Sequence, residues 1–560
     1  MIMSTTHSKS GAALLVDTLL THGADTVYCV PGESYLAVLD AMHDHGDRLR
    51  VVTCRQEGGA ANMAEAHGKL TGRPGICMVT RGPGATNASI GVHTAFQDST
   101  PMILFIGQVA RGFLGREAFQ ELDYGRMFGG MAKWVAQIES ADRVQEIVTR
   151  AFQIACSGRP GPVVIALPED MLTEPAQARP IRAFTPVGAS PARADVAALV
   201  GLLEGAQRPV VLLGGGGWTA QARADMQAFA ERNHLPVACS FRCQDLFDNA
   251  HPQYIGDVGV GVNPRLAQRL READLILACG PRLGEMTTSG YTLLEAPAPR
   301  QTLVHVHPGA EELGSVYQGR LLIQAGMAAM ADELAGLPPV NHAARWRAHT
   351  EQARAEYEQW RSRVETPGAV QMWEVMAHLR EVLPADAILA NGAGNYTVWV
   401  HRFHSYRAWR SQLAPTSGAM GYGVPAAIAA KIRYPERTVL AFAGDGCFLM
   451  CGQELATAVK ERAAVIFIVV NNGMYGTIRM HQEREYPGRV LGTDLVNPDF
   501  AAYARAFGAH GERVERTADF APAYARAVAS GKPALIEIVI DPEAITPSTT
   551  LSALRSQARA

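Results

Sequence analysis

"AGDGCFLMCGQELATAVKERAAVIFIVVNNG", residues 443–473, sets a Gly-Asp-Gly turn and an Asn-Asn-Gly turn on either side of one helical stretch and one very apolar strand. Gly444, Asp445 and Gly446 follow the run "RTVLAFA" and so stand at a strand's carboxyl end, where ligands bind in open α/β sheets. The glycines permit close backbone approach, and the next helix presents free N–H groups suited to a phosphate. After a helix and a strand, Asn471 and Asn472 arrive at the carboxyl end of the neighbouring strand. Adjacent strand ends can place an Asp carboxylate and an Asn amide oxygen on one hard cation, with backbone, diphosphate and water oxygens completing an octahedron. Alone, either turn is an ordinary Asp-Gly or Asn-Gly turn. Together, at this spacing, they point to Mg2+ and a diphosphate.

Outward from this stretch the same alternation of strands and helices fills the chain. "TVYCV", "VVTC", "GICMVT", "MILFIG" and "PVVIALP" alternate with helical patterns over residues 1–170, and a helix is expected near Gly11 to His22. A Pro-rich linker falls near residues 168–192. A second unit, 190–335, has the apolar runs "RPVVLLGGGGW", "PVACS", "ADLILACG" and "QTLVHVH". A third, 369–545, follows a charged helical stretch and contains "AILAN", "RTVLAFAGDG", "AVIFIVVNN" and "ALIEIVI". The expected fold class is α/β, with three consecutive open parallel-sheet domains.

Composition narrows the function classes. The 560 residues, 48% hydrophobic and 19% charged, exceed one core and suit several globular domains. A net charge of -3 with no basic stripe gives no general attraction to nucleic acid. No run reaches about 18 apolar residues, so membrane insertion is not expected. Nine scattered cysteines and the lack of an export signal suit a reducing, cytoplasmic setting.

The Gly-Asp-Gly turn followed at this distance by the Asn pair resembles the signature of thiamine diphosphate-dependent enzymes. The stretch "VVTCRQEGGAANMAEAHGKLTGRPGICMVTRGPGATNASIGVHTAFQDSTPMILFIGQV" closely resembles the N-terminal domain of the acetolactate synthase group, and the likeness covers nearly the whole chain. The resemblance implies Asp445, Asn472 and the Met474 carbonyl as Mg2+ ligands, with Gly444, Gly446, Tyr475 and Gly476 around the diphosphate. It implies Glu57 as the carboxyl group that hydrogen-bonds the cofactor's pyrimidine ring, with Gly418 and Met420 of "TSGAMGYGVPAA" binding that ring. Phe119 and Gln120 of "AFQE" would lie beside the reacting centre, and Lys133 of "MAKWV" also fits the group. The implied reaction takes a 2-oxo acid, with pyruvate as default donor, and a carbonyl acceptor. The implied assembly is a homodimer or homotetramer with active sites at subunit interfaces.

Departures from the group fall on the substrate side. Arg81, before "GPGATN", offers either a clamp for an anionic substrate or a structural ion pair. His93 is either a proton shuttle or a buried structural histidine. Asn395 and Tyr396 alter the pocket wall, and His481 stands near the place of the group's substrate-selecting tryptophan. Thr80 fills the place where benzoylformate decarboxylases carry a histidine, which favours ligation over simple decarboxylation. In the middle unit, "CGPRLGEMTTSGY" lacks the paired aspartates of FAD-binding members and leaves FAD doubtful, and "LLGGGGW" breaks the dinucleotide frame at Thr219.

Overall fold

The computed structural model describes residues 8–559. Its strands in chain order begin with β1 (Ser8–Ser10), β2 (Thr26–Cys29), β3 (Arg50–Thr53), β4 (Gly75–Val79), β5 (Met102–Gln108), β6 (Trp134–Gln137), β7 (Pro162–Pro168) and β8 (Pro175–Gln177). The middle strands are β9 (Pro209–Leu213), β10 (Val237–Cys239), β11 (Tyr254–Asp257), β12 (Leu275–Cys279), β13 (Thr302–His307) and β14 (Leu321–Gln324). The last are β15 (Ile388–Asn391), β16 (Gln412–Leu413), β17 (Val439–Gly444), β18 (Ile466–Asn471), β19 (His510–Val514) and β20 (Ala534–Val539). They form three six-stranded parallel sheets, ordered β3-β2-β4-β5-β7-β6, β11-β10-β9-β12-β13-β14 and β16-β15-β17-β18-β20-β19. The fold class expected from the alternating pattern is therefore observed.

These sheets form because their inner strands are apolar on both faces, which suits a sheet with helices on each side. In the middle sheet, Val211, Leu213 and Leu277 enter one core cluster with Phe229 and Met330. Their neighbours Val210, Leu212 and Ile276 enter a second cluster with Leu266 and Leu270. Alternate residues thus serve opposite faces. In the first sheet, Val27, Phe105 and Ile165 pack with Leu15 and Leu19 of helix Gly11–Thr21 and with Phe152 of helix Val144–Cys156.

The stretch expected as a linker carries a short helix, Glu169–Thr173, and β8, which pairs antiparallel with β1. The Gly214–Gly217 turn after β9 is a close-packing turn. A Cβ at Gly215 would stand 2.0 Å from the Gly280 carbonyl oxygen, and Thr219 caps the following helix by accepting from the Ala222 N–H at 3.0 Å.

By contacts the chain forms two compact units. The first ends at Val187 but also takes in residues 428–433 and 451–461; the second holds the remainder of the middle and C-terminal sheets. Within the first unit, Arg50 pairs with Glu461 at 2.7 Å and Arg433 with Asp25 at 3.7 Å. Among the described residues, none of the nine cysteines forms a disulfide. Among the described residues, no helix is long and apolar enough to cross a membrane.

Candidate active site

In the C-terminal sheet, β17 and β18 run side by side with Gly444 opposite Val470, so Asp445 and Asn471 leave neighbouring strand ends together. Asp445 is only 2% exposed. Burial pushes its carboxyl above the usual carboxylate range, opposed by hydrogen bonds from Asn497 and from backbone N–H groups including Gly473. The Asn497 amide donates to Asp445 Oδ2 at 2.7 Å and to Asn471 Oδ1 at 3.1 Å. Asn471 itself donates to the buried Glu537 at 2.7 Å, so its side chain serves the sheet. Asn472 lies one residue further, its Oδ1 accepting from the Met474 N–H at 3.3 Å. The Met474 to Leu495 neighbourhood is pinned by Tyr475 N–H to Thr493 O at 2.8 Å and Leu495 N–H to Gly473 O at 2.9 Å.

The glycines of the first turn are explained by their neighbours. A Cβ on Gly446 would stand 2.6 Å from the Tyr475 ring, and one on Gly444 would meet the Tyr396 ring at 3.2 Å. Gly476 opens helix Gly476–Glu485, with the Asn472 amide 2.9 Å from where its Cβ would be. After β16, Gly418 takes φ +70°, and partly buried Met420 precedes helix Gly423–Arg433. The sheet order β16-β15-β17-β18 therefore brings the Gly418 stretch, Asn395, Asp445 and Asn472 to one edge.

These residues fit a divalent cation carrying a diphosphate. The carboxylate is buried among neutral amides, the Asn497 Oδ1 has no hydrogen-bond partner, and the available donors are hard oxygens. Among the described residues no group of three or more His, Cys, Asp and Glu forms another metal site.

In the first unit, Glu57 is the first residue of helix Glu57–Thr71, and its Oε2 accepts from Asn87 Nδ2 at 2.9 Å. Gly84 lies beside it; a Cβ there would stand 3.5 Å from Glu57 Oε1. Phe119 is 72% exposed and Gln120 adopts φ +64°. Their loop is closed on itself. Glu121 accepts from the N–H groups of Gly115 at 2.6 Å and Ala118 at 2.9 Å, and the Gln120 carbonyl accepts from Gly82 N–H at 3.0 Å.

Several substrate-side expectations take a different shape. Arg81 is 8% exposed, pairs with Glu169 at 2.5 Å and lies 3.8 Å from Glu33, which is the ion-pair alternative and leaves the anion clamp without support. His93 is exposed, so the buried-histidine alternative does not hold. Tyr396 is buried beneath the diphosphate turn, its hydroxyl accepting from Gly392 N–H at 3.0 Å and lying 3.3 Å from Cys447 Sγ. Its ring packs against the Gly444 position of the turn. Asn395 does face helix Gly476–Glu485, accepting from the Thr477 hydroxyl at 2.9 Å, while His481 is exposed on that helix. Lys133 donates to the Ile154 and Ser157 carbonyls and closes the end of helix Val144–Cys156. A separate cavity of about 20 Å³ beside Asp257, Tyr357 and His401 has room for about one water. The sequence reading missed Asn497, Asn87 and Glu454; the "NPD" turn and the "ATN" of the quoted N-terminal stretch were the available signals for the first two.

The fold and site define an α/β enzyme class, with hard-oxygen groups gathered at one sheet's carboxyl edge. Comparison with known proteins agrees: "Thiamine pyrophosphate enzyme, N-terminal TPP binding domain" matches residues 9–127, the central domain of the same family 196–334, and its "C-terminal TPP binding domain" 392–538. The chain belongs to the thiamine pyrophosphate enzyme family. It is 30% identical over 535 residues to the acetolactate synthase isozyme 2 large subunit of Escherichia coli, covering 95% of this chain and 96% of that one. It is 33% identical over 548 residues to the acetolactate synthase large subunit of Parasynechococcus marenigrum, covering 94% and 87%. With the acetolactate synthase of Mycobacterium bovis the identity is 32% over 552 residues, covering 96% and 88%.

Proposed function

We propose that this enzyme decarboxylates a 2-oxo acid, with pyruvate as default donor, and transfers the remaining acyl unit to a second carbonyl compound. The observation that carries the proposal is that Glu57, Asp445 and Asn472 all stand at strand-end positions suited to their parts, in a chain similar end to end to acetolactate synthases. Thiamine diphosphate, when bound, supplies an acidic thiazolium carbon and an electron sink for the decarboxylated carbon.

Asp445, the Asn472 amide oxygen and the Met474 carbonyl would hold Mg2+. Gly444, Gly446, Tyr475 and Gly476 would leave room for the diphosphate, and Gly418 and Met420 would bind the pyrimidine. Glu57, kept in orientation by Asn87, would hydrogen-bond the pyrimidine ring and assist proton movement there. Phe119 and Gln120 would lie beside the reacting centre. Asn395, His93 and His481 remain candidates for shaping the acceptor side. Thr80, paired with Ser34 Oγ at 2.9 Å, offers only a weakly acidic hydroxyl in place of a histidine, and slow protonation would favour ligation. The setting would be cytoplasmic and the assembly a homodimer or homotetramer with interface active sites, supported by exposed Ile90, Phe113 and Phe119 on the first unit.

Incubation with thiamine diphosphate, Mg2+ and pyruvate, with and without FAD, followed by NMR of the carbon products, tests the proposal. Acetolactate supports it, acetaldehyde alone replaces ligation by decarboxylation, and untouched pyruvate removes pyruvate as donor.

A further inference from the structure

Glu454 is fully buried and has no part in the reaction described above. It lies within the first compact unit although it belongs to the C-terminal stretch of sequence, nine residues after Asp445. Its Oε1 accepts from the N–H groups of Arg55 and Gln56, both at 3.0 Å. Its Oε2 accepts from Arg55 N–H at 3.2 Å and from the Thr457 hydroxyl at 2.6 Å. Arg55 and Gln56 are the two residues immediately before Glu57, at a helix start where N–H groups lack helical partners. The Gln56 side chain takes a third such group, Gly59 N–H, at 3.0 Å. Gly59 also makes room: a Cβ there would stand 2.5 Å from Glu454 Oε1. A distant segment of the chain thus fixes the turn that aims Glu57.

We infer that Glu454 is a positioning residue for Glu57, holding the Arg55–Gln56 turn chiefly through Oε1 so that the Glu57 carboxyl keeps its direction toward the pyrimidine. The inference deepens the proposed function and rests on the role given there to Glu57. Reach, not charge, is what the geometry requires. Glu454→Asp draws the acceptor back by one methylene, whereas Glu454→Gln keeps an oxygen where Oε1 accepts both N–H groups.

The test uses the full chain. The first readout is backbone amide hydrogen exchange at Arg55 and Gln56 without cofactor. The second is C2-proton exchange of thiamine diphosphate bound with Mg2+, followed by acid quench and NMR. Glu454→Asp should expose both amides and slow C2 exchange about tenfold or more, with cofactor affinity within about threefold of wild type. Glu454→Gln should keep amide protection and a C2 exchange rate within about threefold of wild type. In a Glu57→Gln background, Glu454→Asp should add no further slowing.

Slow exchange in the Gln variant with normal exchange in the Asp variant overturns the inference, as does full additivity with Glu57→Gln. If the Asp variant does not fold, the Gln variant decides, since slow C2 exchange in a folded Gln variant overturns the inference. Wild-type exchange in Glu57→Gln removes the role of Glu57 itself. Slow exchange there with a normal Glu454→Asp variant removes only the inference about Glu454.

Discussion

The first and third sheets share one strand order but carry different chemistry at matching places. In each, the strand second in chain order lies at an edge and leads into a helix: β3 leads to Glu57, and β16 leads to Gly418 and Met420. After the third strand, the first sheet has Arg81 and Gly82 in an ion-paired turn, where the other has Gly444, Asp445 and Gly446. After the fourth, one has the exposed Phe119 loop and the other has Asn472 and helix Gly476–Glu485. The topology supplies a row of strand ends. Residue type then decides whether an end offers a proton-holding carboxyl or a buried oxygen site for a cation.

The largest effect should come from the cation side. Asp445→Ala removes the only carboxylate assigned to the metal, at a cost of ~4 kcal/mol typical of truncating a buried charge partner. Titration with thiamine diphosphate and Mg2+ should show affinity weakened about a thousandfold. Unchanged affinity would erase the contrast between the two sheets. Glu57→Gln should leave affinity nearly intact while slowing C2-proton exchange about a hundredfold; equal losses of affinity in both variants would mean the ends are not divided by task.

The loops after the fourth strands give smaller effects. Glu483, buried on helix Gly476–Glu485, accepts from Arg555 of the terminal helix Leu551–Arg559 at 2.6 and 2.8 Å and from Arg479 at 3.1 Å. The hydrogen bonds from Arg555 come first in pulling its carboxyl down from 4.5 to about 2. A depressed carboxyl stabilises above its unfolded value, so this contribution is present above about pH 4.5 and is lost as pH falls toward about 2. Arg555→Ala should lower stability by about 2 kcal/mol in urea unfolding at pH 7 and flatten the acid limb. An unaltered acid limb would show that the helix is not tied through this pair. The opposing loop needs no such tie, because Glu121 closes it locally. Phe119→Ala should therefore change stability by no more than about 0.5 kcal/mol while altering product ratios by NMR; a large stability loss would show that the ring packs within the chain.

Much of the architecture was legible because inner strands are apolar on both faces. The strands absent from the sequence reading, β1, β6, β8, β11, β14, β16 and β19, all stand at sheet edges. β6, β14 and β19 mix polar or half-exposed residues that do not form an apolar run. At the candidate site, the strand-end or helix-start placement of Glu57, Asp445 and Asn472 was legible because each sits beside glycines at a turn or helix start. Asn497 was not, because an isolated asparagine before proline reads first as a turn, and its hold on Asp445 depends on chain 52 residues away. The burial of Tyr396 beneath Gly444 was not legible, because position along the chain does not give the side chain's direction.

The first unit's borrowing of residues 428–433 and 451–461 constrains which parts of the chain can be exchanged separately. A recombination that replaced only the first 187 residues with those of a relative would separate Arg50 from Glu461, Asp25 from Arg433, and the Arg55–Gln56 turn from Glu454. Each is a contact in which both sides must match. A recombinant carrying all three segments together would keep these matched contacts, a requirement that the linear domain order does not reveal.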